Sequence, residues 1–527
     1  MAASMLISVA ALPTAAHAET PADQLIVALS MTNLITLDPA GLTGKESVQI
    51  LTNVYQGLVD LDPVDRSKLI PELAESWTIS EDARTITFTI REGATFASGN
   101  PVTAADVKWS LDRLLELNLT QAPKLSVFGL TAENKDEVFV AVDDRTFVIN
   151  LPQPTDPNLV VMTLGVVGPG SIIDSKLALE NETNGDKAAA WLAVNAAGSG
   201  PFVVTQLRSN EMLLLDRNDN YWGEAPALRR IVMRHLPESQ SQRLQIERGD
   251  IDVAYSLAAP DLAALAGNED VVVQTNGGGG FYYLAASMKN EVLADPNVRL
   301  ALRYLIDYEG INEAVMPYYG VSHQRPIHAG LLGDLPSPGY TLDVERAKEY
   351  LAEAGHPDGL KLTIRTLPDA PFLSLATAIQ ATLAEGGIEA EIIPGSGDQT
   401  YGAMRERNFD LIVGRSGGQV PHPDADLRAL AYNPDNSDEA RLVGLQGWRA
   451  SFYDEQINEM IDAAILETDP EAQRKMYEDI QLRYEEVVPA IQPISQVSDS
   501  VTYRSDIEGL VLHPSWQTDL STVSKQR

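Results

Sequence analysis

The chain has 527 residues, 44% of them hydrophobic and 21% charged, and it sets 74 acidic against 39 basic residues for a net charge of −35. That length exceeds what one hydrophobic core supports, so two or more domains are expected, and the composition is that of a globular protein. The acidity argues against nucleic acid or an anionic membrane surface as a partner. The absence of cysteine removes disulfides, thiolate metal sites, cysteine nucleophiles and the acylated cysteine of a lipoprotein.

Residues 5–16 are apolar and rich in small side chains, and Ala16-His17-Ala18 before Glu19 is an A-x-A cleavage pattern. The segment reads as a secretory signal peptide cut after Ala18, although no Lys or Arg precedes it, and it is too short to span a bilayer. No later stretch is long and apolar enough to do so. Together these features predict an exported periplasmic protein, neither lipidated nor inserted in the membrane.

From residue 19 to about 275 strands dominate. Residues 85–90 (TITFTI) alternate with period two, and residues 146–151 place Phe147, Ile149 and Leu151 on one face. Between them Gly99-Asn100-Pro101 makes a turn, and Thr103 caps a helix whose N3 residue is Asp106, an arrangement like a capping box. Asn276 and the four glycines Gly277, Gly278, Gly279 and Gly280 lead straight into the strand Phe281-Tyr282-Tyr283-Leu284. They read as a crossover, because glycine accepts backbone angles other residues resist; a surface loop is the plainer alternative. From about 295 the texture alternates. Helices are predicted over 297–314, 343–354, 376–385, 453–464 and 470–488, and strands over 360–364, 389–393 and 409–413, with strand texture again over 501–516. That alternation indicates an α/β domain.

The stretch from Gly414 to Leu427, GRSGGQVPHPDADL, follows the apolar run Leu411-Ile412-Val413. Its glycines and prolines argue against an ordinary helix start, and a polar loop at the carboxyl end of a buried strand is where open α/β sheets bind ligands. Gly414-Arg415-Ser416-Gly417-Gly418 matches G-x-S-x-G, but the two prolines that follow oppose the helix a nucleophile elbow requires. No catalytic residue is therefore expected, and a secreted hydrolase using Ser416 is the lower alternative. The seven histidines are scattered without a carboxylate cluster, so neither metal nor cofactor is expected.

Several motifs occur in order along the chain: Leu37-Asp38-Pro39, PELAESW from Pro71, the segment from Phe88 to Arg113, GSGPF from Gly198, Asn220-Tyr221-Trp222-Gly223, Gly249-Asp250-Ile251-Asp252, and AKEYLAEAG from Ala347. In this order they resemble the peptide, nickel and opine-binding family of extracellular solute-binding proteins, the receptors of ABC importers. The resemblance covers nearly all of the mature chain. It implies an α/β fold of the bilobed periplasmic-binding type, type II and of the large peptide-binding class. One lobe would be discontinuous, 19–275 plus 490–527, with an inserted strand-rich subdomain near 61–194, and the other would be 276–489. Crossovers near 276–280 and 489–493 would form the hinge. A monomer that captures a small solute and docks on an inner-membrane permease pair is expected.

By the same resemblance Asn33, Leu34, Tyr255, Ser256 and Trp516 would contact ligand from the first lobe. Arg415, Ser416, Gln419, His422, Trp448 and Arg449 would do so from the second. Peptide-binding relatives carry in this loop an Asp that pairs with the peptide ammonium, and Gln419 falls at that position. An amide keeps hydrogen-bonding capacity but loses the charge, so an oligosaccharide or opine-like solute is expected over a di- or oligopeptide. Asp424 and Asp426 lie close enough to restore that charge.

Overall fold

Two long strands, Val271–Ala286 and Ile491–Arg504, pair antiparallel over most of their length and set the frame of the molecule in a computed structural model. The structure describes residues 20–31, 34, 36–42, 44–65, 68–153, 155–255, 257–368, 370–416 and 420–526. On one side of the long pair the sheet continues through Leu411–Arg415, Leu360–Thr366 and Ile388–Pro394; on the other it runs through Val253–Ala254, Gln24–Leu29, Arg230–His235, Met212–Arg217 and Phe202–Arg208. Gly320–Ser322 adds an eleventh strand.

The hydrophobic cores separate along this sheet. One gathers Leu25, Val27, Tyr55, Phe202 and Leu213 with Leu512 and Leu520 from the far end of the chain. Another gathers Tyr282, Leu284, Val298, Ile364, Leu383 and Val413. A third belongs to a separate antiparallel sheet, ordered Ala74–Ile79, Thr85–Ile90, Thr146–Asn150, Phe139–Ala141 and covered by the helix Ala104–Leu117. These are the two lobes and a strand-rich layer attached to the first.

The local structure follows from the residues. Phe88 and Phe147 pair across neighbouring strands and are fully buried, as alternation with period two requires. Thr103 and Asp106 form the expected capping box. The helix Val344–Glu353 is capped by Asp343 and followed by Gly355 at φ 85°. Gly198 in the GSGPF motif packs so closely that a Cβ there would collide with the carbonyl oxygen of Val54. The LDP motif is structural as well: Asp38 forms a buried two-point ion pair with Arg113, at 2.9 and 2.5 Å, which ties the first lobe to the helix of the attached layer.

Three expectations are corrected. The helix read over 297–314 is two helices, Pro296–Tyr304 and Tyr308–Ala314, because the Asp307 side chain accepts from Gly310 N and starts a new one. The loop after Leu411–Arg415 does open a helix, Pro423–Leu430, with Pro423 in its first turn and His422 as N-cap. Proline suits that position, since its missing N–H has no intrahelical partner there. Past Arg504 the strand texture yields only the short pair Ile507–Glu508 and Ser524–Lys525.

Candidate functional site

The crossing is built where the two long strands change register. Thr275, Asn276 and Gly277 pair with Ser500, Asp499 and Ser498, and pairing resumes at Phe281 with Gln496 after an irregularity that spans the remaining glycines. Gly280 has φ 110°, a conformation essentially reserved for glycine. Asn276 to Gly280 therefore lie inside a strand, and the residues facing them are 496–499 instead of 489–493, where the second long strand only begins. The Gly280 N–H donates to His328 Nε2 at 2.6 Å, and His328 Nδ1 donates to Asp426 Oδ2 at 2.6 Å, with Phe281 stacked on the imidazole at 4.1 Å. A carboxylate of the loop helix thus holds the crossing through one histidine.

Beside the crossing, side chains from both lobes face each other. Arg415 ends its strand directly opposite Tyr282 in the antiparallel pair. Its guanidinium carbon lies 6.0 Å from the Tyr282 ring centre and 5.5 Å from that of Trp516. Tyr282 belongs to the core of the second lobe and Trp516 packs on the core of the first, so this contact spans the cleft. Trp516, held at φ 66°, donates its indole N–H to Asp499 Oδ2 at 2.6 Å, and Lys45 Nζ approaches Asp499 Oδ1 at 4.0 Å. Leu29, Gln49 and Tyr255 complete a cavity against the same tryptophan. Burial pushes the Tyr282 phenol up to about 12, Arg415 opposing and Asp499 adding to the shift.

The structure brings Tyr255, Arg415 and Trp516 together and sends other candidates elsewhere. Ser416 is buried: its hydroxyl accepts from Phe281 N at 2.9 Å, and its own N–H donates to Phe281 O. Trp448 is a core residue, its indole N–H given to Ser437 O at 2.8 Å and its face covered by Arg407 at 4.7 Å. Arg449 donates to Val443 O at 2.6 Å. Leu34 packs on the core of the first lobe. His422 caps the loop helix and donates from Nε2 to Asp156 Oδ2 at 3.2 Å. Asn33, Ser256 and Gln419 lie outside the described residues. Lys45, Tyr282 and Asp499 were missed, because nothing in their local sequence marks them and only the crossing strands bring them together.

The two carboxylates that could replace the loop's missing acid are both engaged. Asp424 accepts from Arg428 Nε at 2.9 and 3.0 Å, and Asp426 is bound to the ring and the backbone N–H of His328. Burial pushes the Asp424 carboxyl up despite Arg428. Among the described residues no group of three His, Cys, Asp or Glu could hold a metal ion, and no helix is long and apolar enough to cross a membrane.

Two lobes joined by paired strands, with aromatic and charged groups from each meeting between them, place the chain with solute-binding proteins of the bilobed type II class. The chain belongs to the bacterial extracellular solute-binding proteins of family 5, whose model matches residues 68–438. It is 29% identical to the probable D,D-dipeptide-binding periplasmic protein DdpA of Escherichia coli K12, over 97% of this chain and 96% of that one. The structure of MoaA from A. tumefaciens R10 in complex with mannopinic acid aligns with a TM-score of 0.76 and 25% identity over 96% of this chain and 100% of that one. The substrate-binding protein CtaP of Listeria monocytogenes aligns with a TM-score of 0.81 and 21% identity, over 96% and 99% of the two chains. Members of this family are binding proteins that serve ABC permeases, not enzymes.

Proposed function

We propose that the chain is exported to the periplasm, captures a small non-peptide solute between its lobes and presents it to an inner-membrane permease pair. One observation carries the ligand class. The loop's own carboxylates, Asp424 and Asp426, are buried in pairs with Arg428 and His328, so neither is free to receive a peptide ammonium. A buried ammonium without its counter-ion is costly. Asp499, a carboxylate of the Trp516 cavity, already accepts from Trp516 and faces Lys45. Gln419 in the loop is part of the same reading.

Thermal-shift screening tests it, because a ligand that binds only the native state raises its melting temperature. The panel holds L-dipeptides, a D,D-dipeptide, maltotriose, mannopinic acid and a nickel–histidine chelate. Silence of the peptides with a shift from the sugar or the opine supports the proposal. A shift from peptides alone returns the chain to the peptide-binding members, and the E. coli relative named for D,D-dipeptides makes that arm the sharpest. Osmotic-shock fluid should contain the protein with Glu19 as its first residue; recovery from cytosol with Met1 intact would contradict export.

A further inference from the structure

Among the described residues the guanidinium of Arg415 is the cationic group of the cleft without an acidic partner. Its Nη2 is buried without a hydrogen bond, and no carboxylate among the described residues forms an ion pair with it. Its contacts are faces: Tyr282 on its own lobe and Trp516 on the other. The other cation of the cleft differs, because Lys45 is 45% exposed and lies 4.0 Å from Asp499. Glu46 also lines the Trp516 cavity, next to Lys45 in the chain. Lys45 is thus matched by acid and Arg415 is not, in a chain with almost twice as many acids as bases. An unpartnered buried N–H of a charged group costs more than an ordinary lost hydrogen bond.

We propose that Arg415 selects the solute: its planar fork receives a carboxylate of a small organic acid held between the lobes, an inference that rests on the receptor reading above. The geometry favours a carboxylate for two reasons. A guanidinium presents two parallel N–H donors that match the two carboxylate oxygens. Among the described residues Arg415 is the positive charge of the cleft left without an acid, which suits a monoanion better than a phosphate dianion. Trp516 then acts as the opposing wall. A carboxylate docked on Arg415 lies against a ring carried by the first lobe, so charge recognition and closure use one contact. Among the classes in the panel, this selects the opine-like acid over the neutral oligosaccharide.

The test uses matched pairs on the full mature protein: mannopinic acid and its amide, a D,D-dipeptide and its C-terminal amide, with maltotriose as a neutral probe. Binding is read by titration calorimetry for wild type, Arg415→Met and Arg415→Lys, and the melting temperature without probe shows that each variant is folded. The quantity read is the ratio of acid to amide affinity. We expect wild type to prefer one acid by roughly 30-fold or more, as for truncating one member of a buried charge pair. Arg415→Met should bring that ratio near one, and Arg415→Lys should restore part of it. Equal binding of acid and amide by wild type, or an unchanged ratio in Arg415→Met, overturns the proposal. Binding of maltotriose with every acid silent overturns it too while leaving the receptor reading standing. Silence of the whole panel counts against both.

Discussion

Trp448 and Trp516 were candidates on the same ground, a flat apolar face able to cover a ligand. The fold separates them by what each indole N–H meets. Trp516 gives its N–H to Asp499 of the long strand Ile491–Arg504 and turns its face to Arg415 of the other lobe, whereas Trp448 gives its N–H to a backbone carbonyl inside the second lobe and lies under Arg407. Trp448→Ala should therefore lower unfolding stability by about 3–5 kcal/mol, read by denaturant titration, and leave probe affinity unchanged. Asp60 makes a second residue-scale case. It shares a cavity of the first lobe with Glu72 and Asp519, and burial pushes its carboxyl up to about 7, with Asp519 and Asp62 adding to the shift. An acid with a raised native pKa contributes fully below its unfolded value, and that contribution is lost as the pH rises through the native one. Asp60→Asn should accordingly melt above wild type at pH 8 and level with it at pH 4; equal melting at both would refute the shift.

At the scale of elements, the legible parts were those whose residues speak locally. The strand Thr85–Ile90 shows its alternation, and the helix Val344–Glu353 shows its cap and its terminal glycine. The start of Pro423–Leu430 was missed because a proline was read as a breaker where it occupies the first turn. What no local pattern announces is the contact made by three element ends. Asp156 caps the helix Pro157–Leu164, accepts from His422 on the loop helix, and accepts from Gln473 on Pro470–Glu486, both at 3.2 Å. Ile465 of the second lobe joins the core of the strand-rich layer at the same place. Burial alone would raise the Asp156 carboxyl; the hydrogen bond and charge of His422, with Gln473, hold it below its ordinary value instead. A lowered acid stabilises above its unfolded pKa and loses that contribution as the pH falls through the native one. Asp156→Asn should therefore flatten the acid limb of the stability profile below about pH 4. Asp156→Ala should cost roughly 1–3 kcal/mol at pH 7, for a lost cap and stranded partners.

At the scale of the molecule, the family and the α/β alternation could be read from motifs spread along the chain, whereas the site could be read only in part: Tyr255, Arg415 and Trp516 were named from the sequence, and Lys45, Tyr282 and Asp499 were not. Arg415, Tyr282 and Lys45 come from distant parts of the chain and meet Asp499 and Trp516 of its last stretch because two long strands pass from lobe to lobe. Gly280 is where that passage departs from regular pairing, at φ 110°, and its N–H is held by His328. Gly280→Val should strain the crossing by about 1–3 kcal/mol and narrow the range over which the lobes move. The measurement that bears most directly on the receptor account is small-angle X-ray scattering of the mature protein, alone and with a saturating amount of the panel compound that gives the largest thermal shift. A ligand held by contacts from both lobes favours the closed arrangement. The account predicts a smaller radius of gyration with that compound and a reduced response in Gly280→Val; an unchanged radius at verified saturation would contradict it.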